Sequence, residues 1–269
     1  MSPRAFRAIL RREVVRMMRQ RGRLASAVIR PLIWLAVIGS GFQALLAEQG
    51  ADHYQDFMVP GLLGMTLLFG AMLAALSLVY DKESGVMRML LIAPFARAWI
   101  VVARSTSAAV VAILQALLLL AVFLVLGFVH LPVAVLPLIV GLILTALTCA
   151  SIGMLFAVAS KTLDNFAVVM NFVIFPLFFL SGALYPINRL PDVLYLVARI
   201  NPFSYGVDLL KHGLVPTMAP PYGPDFSWLL DTGVTAGFVV AATTFASLRF
   251  ASGSVMETLA ALVNTARRQ

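Results

Sequence analysis

Charged side chains are scarce in this chain, and cysteine is almost absent. Only 12% of the 269 residues are charged, whereas about 25% is usual in soluble domains. Cys149 has no second cysteine to pair with, and the three histidines stand far apart, without the spacing of a metal site: His53, His130 and His212. We therefore expect no disulfide and no metal centre, and the scarcity of charge argues against a soluble protein.

What the chain has instead is apolar residues in long unbroken runs, which raise the hydrophobic share to 61%. A hydrocarbon layer about 30 Å thick is crossed by roughly 20 apolar residues in a helix, so each run predicts one membrane span. The expected fold is an all-α membrane protein, a single domain over 1–269. Its six predicted spans are 24–46, 57–79, 98–128, 131–159, 166–181 and 226–250.

The net charge of +8 comes mainly from arginines that lie between the apolar runs. Basic residues concentrate on the cytoplasmic side of membrane proteins. Here all but Arg189, Arg199 and Lys211 fall on the side of the N-terminus, whereas acidic residues follow the first span. The pattern predicts cytoplasmic N- and C-termini, and the length of the first charged region argues against a cleaved signal peptide.

Residues 3–22 form a predicted amphipathic helix rather than a span. One face is apolar and the other carries arginines, among them Arg11 and Arg12, as in helices that lie in the membrane interface. Glu13 falls within the apolar face. Either this helix is a basic anchor ahead of the first span, or it also contacts a cytoplasmic partner, to which Glu13 would then be exposed.

Two connections are unusually apolar. The loop 81–97 between spans two and three predicts a short helix from Ser84 to about Ile92, which either docks on another protein or packs on the chain's own spans. After span five, 183–214 contains two proline-initiated helices that are too short to cross a membrane. Such segments are typical of re-entrant or interfacial hairpins, here on the outer side.

The order of residues in these two connections resembles that of type-2 ABC exporter permeases. In the first, the resemblance rests on Glu83, Gly85, Leu90, Leu91, Pro94 and Arg97; in the second, on Ser181, Gly182, Pro186, Pro191, Asn201, Pro202 and Tyr205. The resemblance implies that the loop is a coupling helix held in a cleft of an ATPase subunit, with Met87 and Arg88 among its contacts, and that the hairpin caps the translocation path. Val86 and Arg88 depart from the family's usual threonine and acid, which leaves the ATPase charge partner open.

We expect no catalytic site within the chain. No glycine-rich phosphate loop occurs, so ATP and magnesium would be bound by a separate ATPase subunit. The charges noted within spans, Arg30, Arg104 and Arg249, lie near span ends and could snorkel, so no proton relay or catalytic pair is predicted. Four residues of span five are possible path-lining residues, although packing or lipid contact is the more common role of such side chains: Asn171, Phe172, Phe175 and Phe179.

The resemblance implies a membrane subunit of an ATP-driven exporter in a bacterial inner membrane. Two permease chains would pair as a homodimer or heterodimer above two ATPase subunits, with no nucleic acid involved. The cargo would be a drug, lipid or other amphipathic molecule, or alternatively a lipid-linked saccharide. Other classes left open are a stand-alone secondary transporter or channel, and a membrane scaffold.

Overall fold

The structure is a computed structural model that describes residues 10–16, 19–47, 54–87, 98–129, 133–216, 218 and 222–266. All regular structure in these ranges is helical, as expected for the all-α class. The helices are α1 Arg21–Trp34, α2 Ser40–Ala47, α3 Tyr54–Glu83, α4 Ala98–Val125, α5 Val135–Ala159, α6 Leu163–Phe179, α7 Asp192–Ile200, α8 Pro202–Leu214 and α9 Trp228–Ala266, with a π-helical segment Leu35–Gly39 joining α1 to α2 and a 3-10 turn Ile187–Arg189 before α7.

Within the described ranges, five helical segments are long and apolar enough to cross a membrane, and they match the predicted first, second, third, fourth and sixth spans. They are Arg21–Gln43, Tyr54–Glu83, Ala98–Val125, Val135–Ala159 and Trp228–Ser252. At the predicted fifth span, α6 is apolar but has only 17 residues. At 1.5 Å per residue it is about 25 Å long, shorter than the layer described above, so the sixth crossing stays a prediction.

The ends of α6 differ from the predicted 166–181 because capping residues set them. Thr162 precedes the helix, and its side-chain oxygen accepts a hydrogen bond from the Asn165 N–H at 3.3 Å, so α6 begins before Phe166. At the other end Gly182 has a φ of +76°, a conformation that glycine adopts without steric cost. The chain therefore leaves the helix at Phe179 and turns.

Helix α3 is the centre of the bundle and is buried along most of its length. It packs against α4, α5, α6, α8 and α1. Small residues on α5 allow a close approach, since a Cβ added at Gly153 would lie 3.2 Å from Met72 Sδ and 3.1 Å from Ala75 Cβ. Gly153 on α5 therefore serves close helix contact, the usual role of small residues in membrane helices.

The long helices run in alternating directions between two ends of the bundle. At one end, which we call the loop end, the Leu163 N–H donates to Glu83 Oε2 at 2.8 Å, so α3 finishes where α6 begins. At the other, the hairpin end, the Tyr54 hydroxyl donates to the Leu184 carbonyl at 2.6 Å. Helical residues 10–16 also lie at the loop end.

The N-terminal helix, predicted at 3–22, is interrupted before its predicted end. Residues 1–9, 17 and 18 lie outside the described residues, but Gln20 is not helical, with φ −90° and ψ 71°. Its carbonyl accepts from the N–H groups of Arg23 and Leu24 at 2.9 and 3.3 Å, which starts α1 at Arg21. The predicted end at 22 is therefore wrong, because the helix is interrupted at Gln20 and a new one begins at Arg21.

The close packing of Gly61 gives a test of the fold at the hairpin end. A Cβ at this position would lie 2.3 Å from the Ala183 carbonyl oxygen, so Gly61→Ala must displace the segment that Tyr54 holds. We expect the free energy of unfolding to fall by about 1–3 kcal/mol. At Gly237 in α9 an added Cβ would have open space around it, so Gly237→Ala should raise the free energy of unfolding by about 0.5–1 kcal/mol. Unfolding of both variants in one detergent checks this, and equal shifts would contradict it.

Candidate functional site: polar networks at the two ends of the bundle

The loop end holds an ion network around the buried guanidinium of Arg104 at the start of α4. Its Nη1 donates to Glu13 Oε1 at 2.7 Å and to Ser77 Oγ at 3.0 Å, and its Nη2 pairs with Asp81. Arg12 Nη2 lies 3.1 Å from the Glu13 carboxylate and 3.3 Å from that of Asp81. The N-terminal helix is therefore fixed to α3 and α4.

This network corrects two predictions. Glu13 is 8% exposed, so it does not face a cytoplasmic partner as proposed for it; it faces Arg104, because a buried charge requires an opposite charge. Arg104 does not snorkel, since it is buried in the same ion network. Arg30 lies 4.1 Å from the centre of the Phe69 ring, in a cation–π contact. Arg11 is exposed, and its role at the interface stays a prediction.

The last two residues of α3 join the predicted coupling loop to the turn between α5 and α6. Lys82 Nζ donates to the carbonyls of Ala157, Val158 and Ser160 at 2.8, 2.8 and 3.2 Å, where the end of α5 leaves carbonyls unpaired. Glu83 accepts the backbone N–H at the start of α6, as given above. We call this pair of contacts the Lys82–Glu83 clamp. From the sequence Lys82 is only one of the basic residues on the side of the N-terminus, although its place beside Glu83 indicates a shared role.

The loop beyond the clamp begins differently from the prediction. Helix α3 continues to Glu83, and Gly85 has a φ of +76°, so helix resumes at Val86 rather than at Ser84. Val86 is exposed, whereas Met87 is buried against an apolar cluster of the chain's own helices. The remaining predicted coupling residues lie outside the described residues: Arg88, Leu90, Pro94 and Arg97.

The predicted hairpin consists of α7 and α8, joined at Asn201. The Asn201 side chain accepts from the Phe203 N–H at 3.0 Å and donates to the Leu177 carbonyl at 2.8 Å, so it caps α8 and fixes it to α6. The Tyr205 hydroxyl donates to the Arg199 carbonyl at 2.7 Å. Helix α8 is buried among α5, α9 and α3, whereas α7 exposes most of its residues.

The other predicted hairpin residues shape the turn that leads from α6 to α7. The Ser181 hydroxyl donates to the Phe178 carbonyl at 2.7 Å. Gly182 leaves no room for a side chain, since an added Cβ would lie 2.7 Å from Ile187. Pro186 and Pro191 flank the 3-10 turn, and Pro202 occupies the first turn of α8.

A buried ionic cluster at the hairpin end was not predicted. It joins α8 to the start of α9 and to the segment between them, and its members are Asp208, Lys211, His212, Asp225 and Asp231. The Asp208 carboxylate accepts the N–H groups of Asp225 and Phe226 at 2.7 and 2.8 Å, and Lys211 Nζ lies 2.5 Å from Asp225 Oδ2. Burial raises the pKa of Asp208 to about 6, although Lys211 acts in the opposite direction.

The expectation that the histidines are isolated is wrong for His212, which lies beside two carboxylates. Asp208 and His212 are one turn apart on α8, and their Oδ2 and Nε2 atoms are 3.9 Å apart. Asp231, within the predicted sixth span, lies 3.4 Å from the same nitrogen. The four-residue spacing of Asp208 and His212 on an apolar helix indicates that their side chains can interact. The approach of Asp231 could not be predicted in this way, because it depends on how the segment after α8 brings the start of α9 back to His212.

The possible path-lining residues form an exposed face of α6. Phe172 is 79% exposed, and Phe175 stacks on Phe179 with ring centres 6.2 Å apart. Trp34 of α1 continues this face, 6.0 Å from Phe179, and Asn171 is exposed beside it. The face is free in a single chain, so lipid, a second chain or a cargo could cover it.

A bundle of this kind has five long apolar helical segments among the described residues, the central one, α3, being buried, and polar networks at both ends; it is a multi-pass helical membrane protein. Residues 4–215 match the family described as ABC-2 type transporter. The chain therefore belongs to the ABC-2 type transporter permease family. It is a membrane subunit without catalysis of its own, and permeases of this family normally work with an ABC ATPase partner.

Individual relatives are similar over most of their length. The putative transport permease ycf38 of Pyropia yezoensis is 28% identical over 209 residues, which cover 76% of this chain and 71% of the relative. Nodulation protein J of Rhizobium leguminosarum bv. trifolii is 27% identical over 190 residues, which cover 70% of this chain and 72% of the relative. The inner membrane transport permease YadH of Escherichia coli (strain K12) is 27% identical over 241 residues, which cover 88% of this chain and 91% of the relative.

Proposed function

We propose that the chain is the membrane subunit of an ATP-driven exporter and acts as a pair of permeases on two ATPase subunits. The observation that carries this proposal is the Lys82–Glu83 clamp. Because loop 81–97 starts at the clamp, a push on the loop by an ATPase would move the turn between α5 and α6 as well as α3. One movement would then reach three helices of the bundle.

Six crossings with both termini in the cytoplasm are part of the proposal. Helix α6 runs from the loop end, where Leu163 meets Glu83, to the hairpin end, where the Leu177 carbonyl meets Asn201. This course from one end of the bundle to the other supports a sixth crossing by α6, which has only 17 residues. The distribution of basic residues supports a cytoplasmic loop end in a bacterial inner membrane.

The cap at the outer side would be α7 and α8. Helix α8 is packed inside the bundle and α7 exposes apolar side chains such as Val193, Leu196 and Ile200. An apolar helix too short to span that packs on longer ones, joined to a second short helix with exposed apolar side chains, supports a hairpin embedded at the outer membrane surface. The exposed aromatic face of α6 lies directly below it and supports an amphipathic cargo: a drug or lipid first, a lipid-linked saccharide second.

Co-purification with the neighbouring gene's ATPase tests the proposal. We expect the full-length permease to retain the ATPase in detergent and to stimulate its activity in vesicles, and deletion of residues 83–94 to abolish retention. A variant with Lys161→Met, an exposed side chain in the α5–α6 turn, serves as a matched control. Transport without any ATPase would favour the alternative class, a stand-alone secondary transporter or channel, and binding after the deletion would refute the coupling role of the loop.

A further inference from the structure

The ionic cluster at the hairpin end contains a carboxylate that the rest of the cluster leaves unsatisfied. Asp231 is fully buried, and neither of its oxygens has a hydrogen-bond partner in the described structure. His212 Nε2 lies 3.4 Å from its Oδ2. A buried carboxylate without a donor is strongly unfavourable unless a cation or proton neutralises it.

The charges around Asp231 do not balance. Lys211 Nζ lies 2.5 Å from Asp225 Oδ2 and 3.8 Å from Asp208 Oδ1, so its single positive charge faces three carboxylates. Those of Asp208 and Asp231 also face the imidazole of His212. With a neutral imidazole, two negative charges remain in the buried part of this cluster. A single divalent cation would compensate both of them.

The geometry around His212 is that of ligands converging on one point. Its Nε2 atom faces three oxygens: the Phe226 carbonyl at 3.1 Å, Asp231 Oδ2 at 3.4 Å and Asp208 Oδ2 at 3.9 Å. Nitrogen and oxygen ligands about 2.0–2.2 Å from a tetrahedral zinc ion are about 3.3–3.6 Å from one another. The observed separations bracket this range.

We propose that His212, Asp208 and Asp231 form a divalent metal site of the zinc type, with the Phe226 carbonyl as its fourth ligand. The imidazole selects Zn²⁺ over Mg²⁺ and Ca²⁺, which take oxygen ligands. In the metal-free arrangement the Nε2–H donates to the Phe226 carbonyl; on metal binding the ring takes the Nδ1–H tautomer, which frees the Nε2 lone pair for the ion and keeps the imidazole neutral. The side chain of His212 is 21% exposed and provides the entry route, and the bound ion ties α8 to the start of α9.

Metal titration of the full-length permease tests this site. After treatment with a chelator, the wild-type chain in detergent should take up one Zn²⁺ per chain and unfold at a higher temperature with it. Asp231→Asn and His212→Gln should each weaken Zn²⁺ binding by more than about tenfold, the smallest loss typical even of residues that only support a ligand. Asp192→Asn, an exposed acid on α7, should leave binding unchanged.

The wild-type chain alone keeps the proposal falsifiable if the variants do not fold. Co²⁺ added to it should give the strong visible bands of a tetrahedral site, and Zn²⁺ should remove them. Absence of these bands, equal Zn²⁺ binding by wild type and His212→Gln, or full stabilisation by mild acid in the presence of chelator would each overturn the metal site. The last result would show that the cluster takes protons instead.

Discussion

Replacing Arg104 with methionine should lower the free energy of unfolding by about 3–5 kcal/mol, the usual cost of removing one partner from a buried ion pair. Methionine retains most of the apolar stem and removes the guanidinium. Glu13 and Asp81 would then be left buried beside each other, with Arg12 as their nearest cation. Thermal or denaturant unfolding of the purified permease measures the loss.

Arg12→Met is the matched control for this variant. The Arg12 side chain contacts the same two carboxylates but is 49% exposed, and such pairs contribute at most about 1 kcal/mol. Adding Glu13→Gln and Asp81→Asn to Arg104→Met should recover part of the loss, because the uncompensated charges are removed. Equal losses for Arg104→Met and Arg12→Met would show that Arg104 does not hold the network together.

A second readout separates general instability from release of the N-terminal helix. Glu13 is the residue through which residues 10–16 contact Arg104, so Arg104→Met should expose this arginine-rich helix to trypsin below the unfolding temperature. The Gly61→Ala variant, which acts at the hairpin end, should not do so.

The sequence was sufficient for the helices that are long and apolar, because a hydrocarbon layer imposes one length and one composition on them. The second span, predicted at 57–79, is the core of α3, and α8 begins at Pro202 as predicted. Boundaries were less accurate where a single capping residue decides them. Gln20 and Thr162 do so by hydrogen bonds that no hydropathy pattern contains.

The polar networks could not be derived because their partners are distant in sequence. Glu13 and Arg104 belong to the N-terminal helix and α4, and Asp231 approaches His212 only after the chain has returned through Phe226. Counting charges by side of the membrane predicts an orientation but treats each charge as independent. A buried charge must be paired, so the presence of Asp231 in an apolar run was a signal that a partner existed.

The Lys82–Glu83 clamp leads to the largest expected effect on transport. Lys82→Met should leave ATPase binding intact, because the loop residues beyond Val86 are unchanged, but should reduce transport per ATP hydrolysed by about 5–150-fold, the range of typical coupling energies between sites. The reason is the loss of an ammonium group that contacts three carbonyls at the end of α5. Transport into inverted vesicles and ATP hydrolysis, measured together, give the ratio.

Glu83→Gln and Lys161→Met are the comparison variants for Lys82→Met. Glutamine still offers an oxygen to the Leu163 N–H but has no charge at the start of α6, so its effect should be smaller than that of Lys82→Met. Lys161→Met, in the same turn but exposed, should transport as the wild type does. If Lys82→Met and Lys161→Met have the same transport-to-hydrolysis ratio, the α5–α6 turn does not receive the movement of the loop, and coupling must pass through α3 and α4 alone.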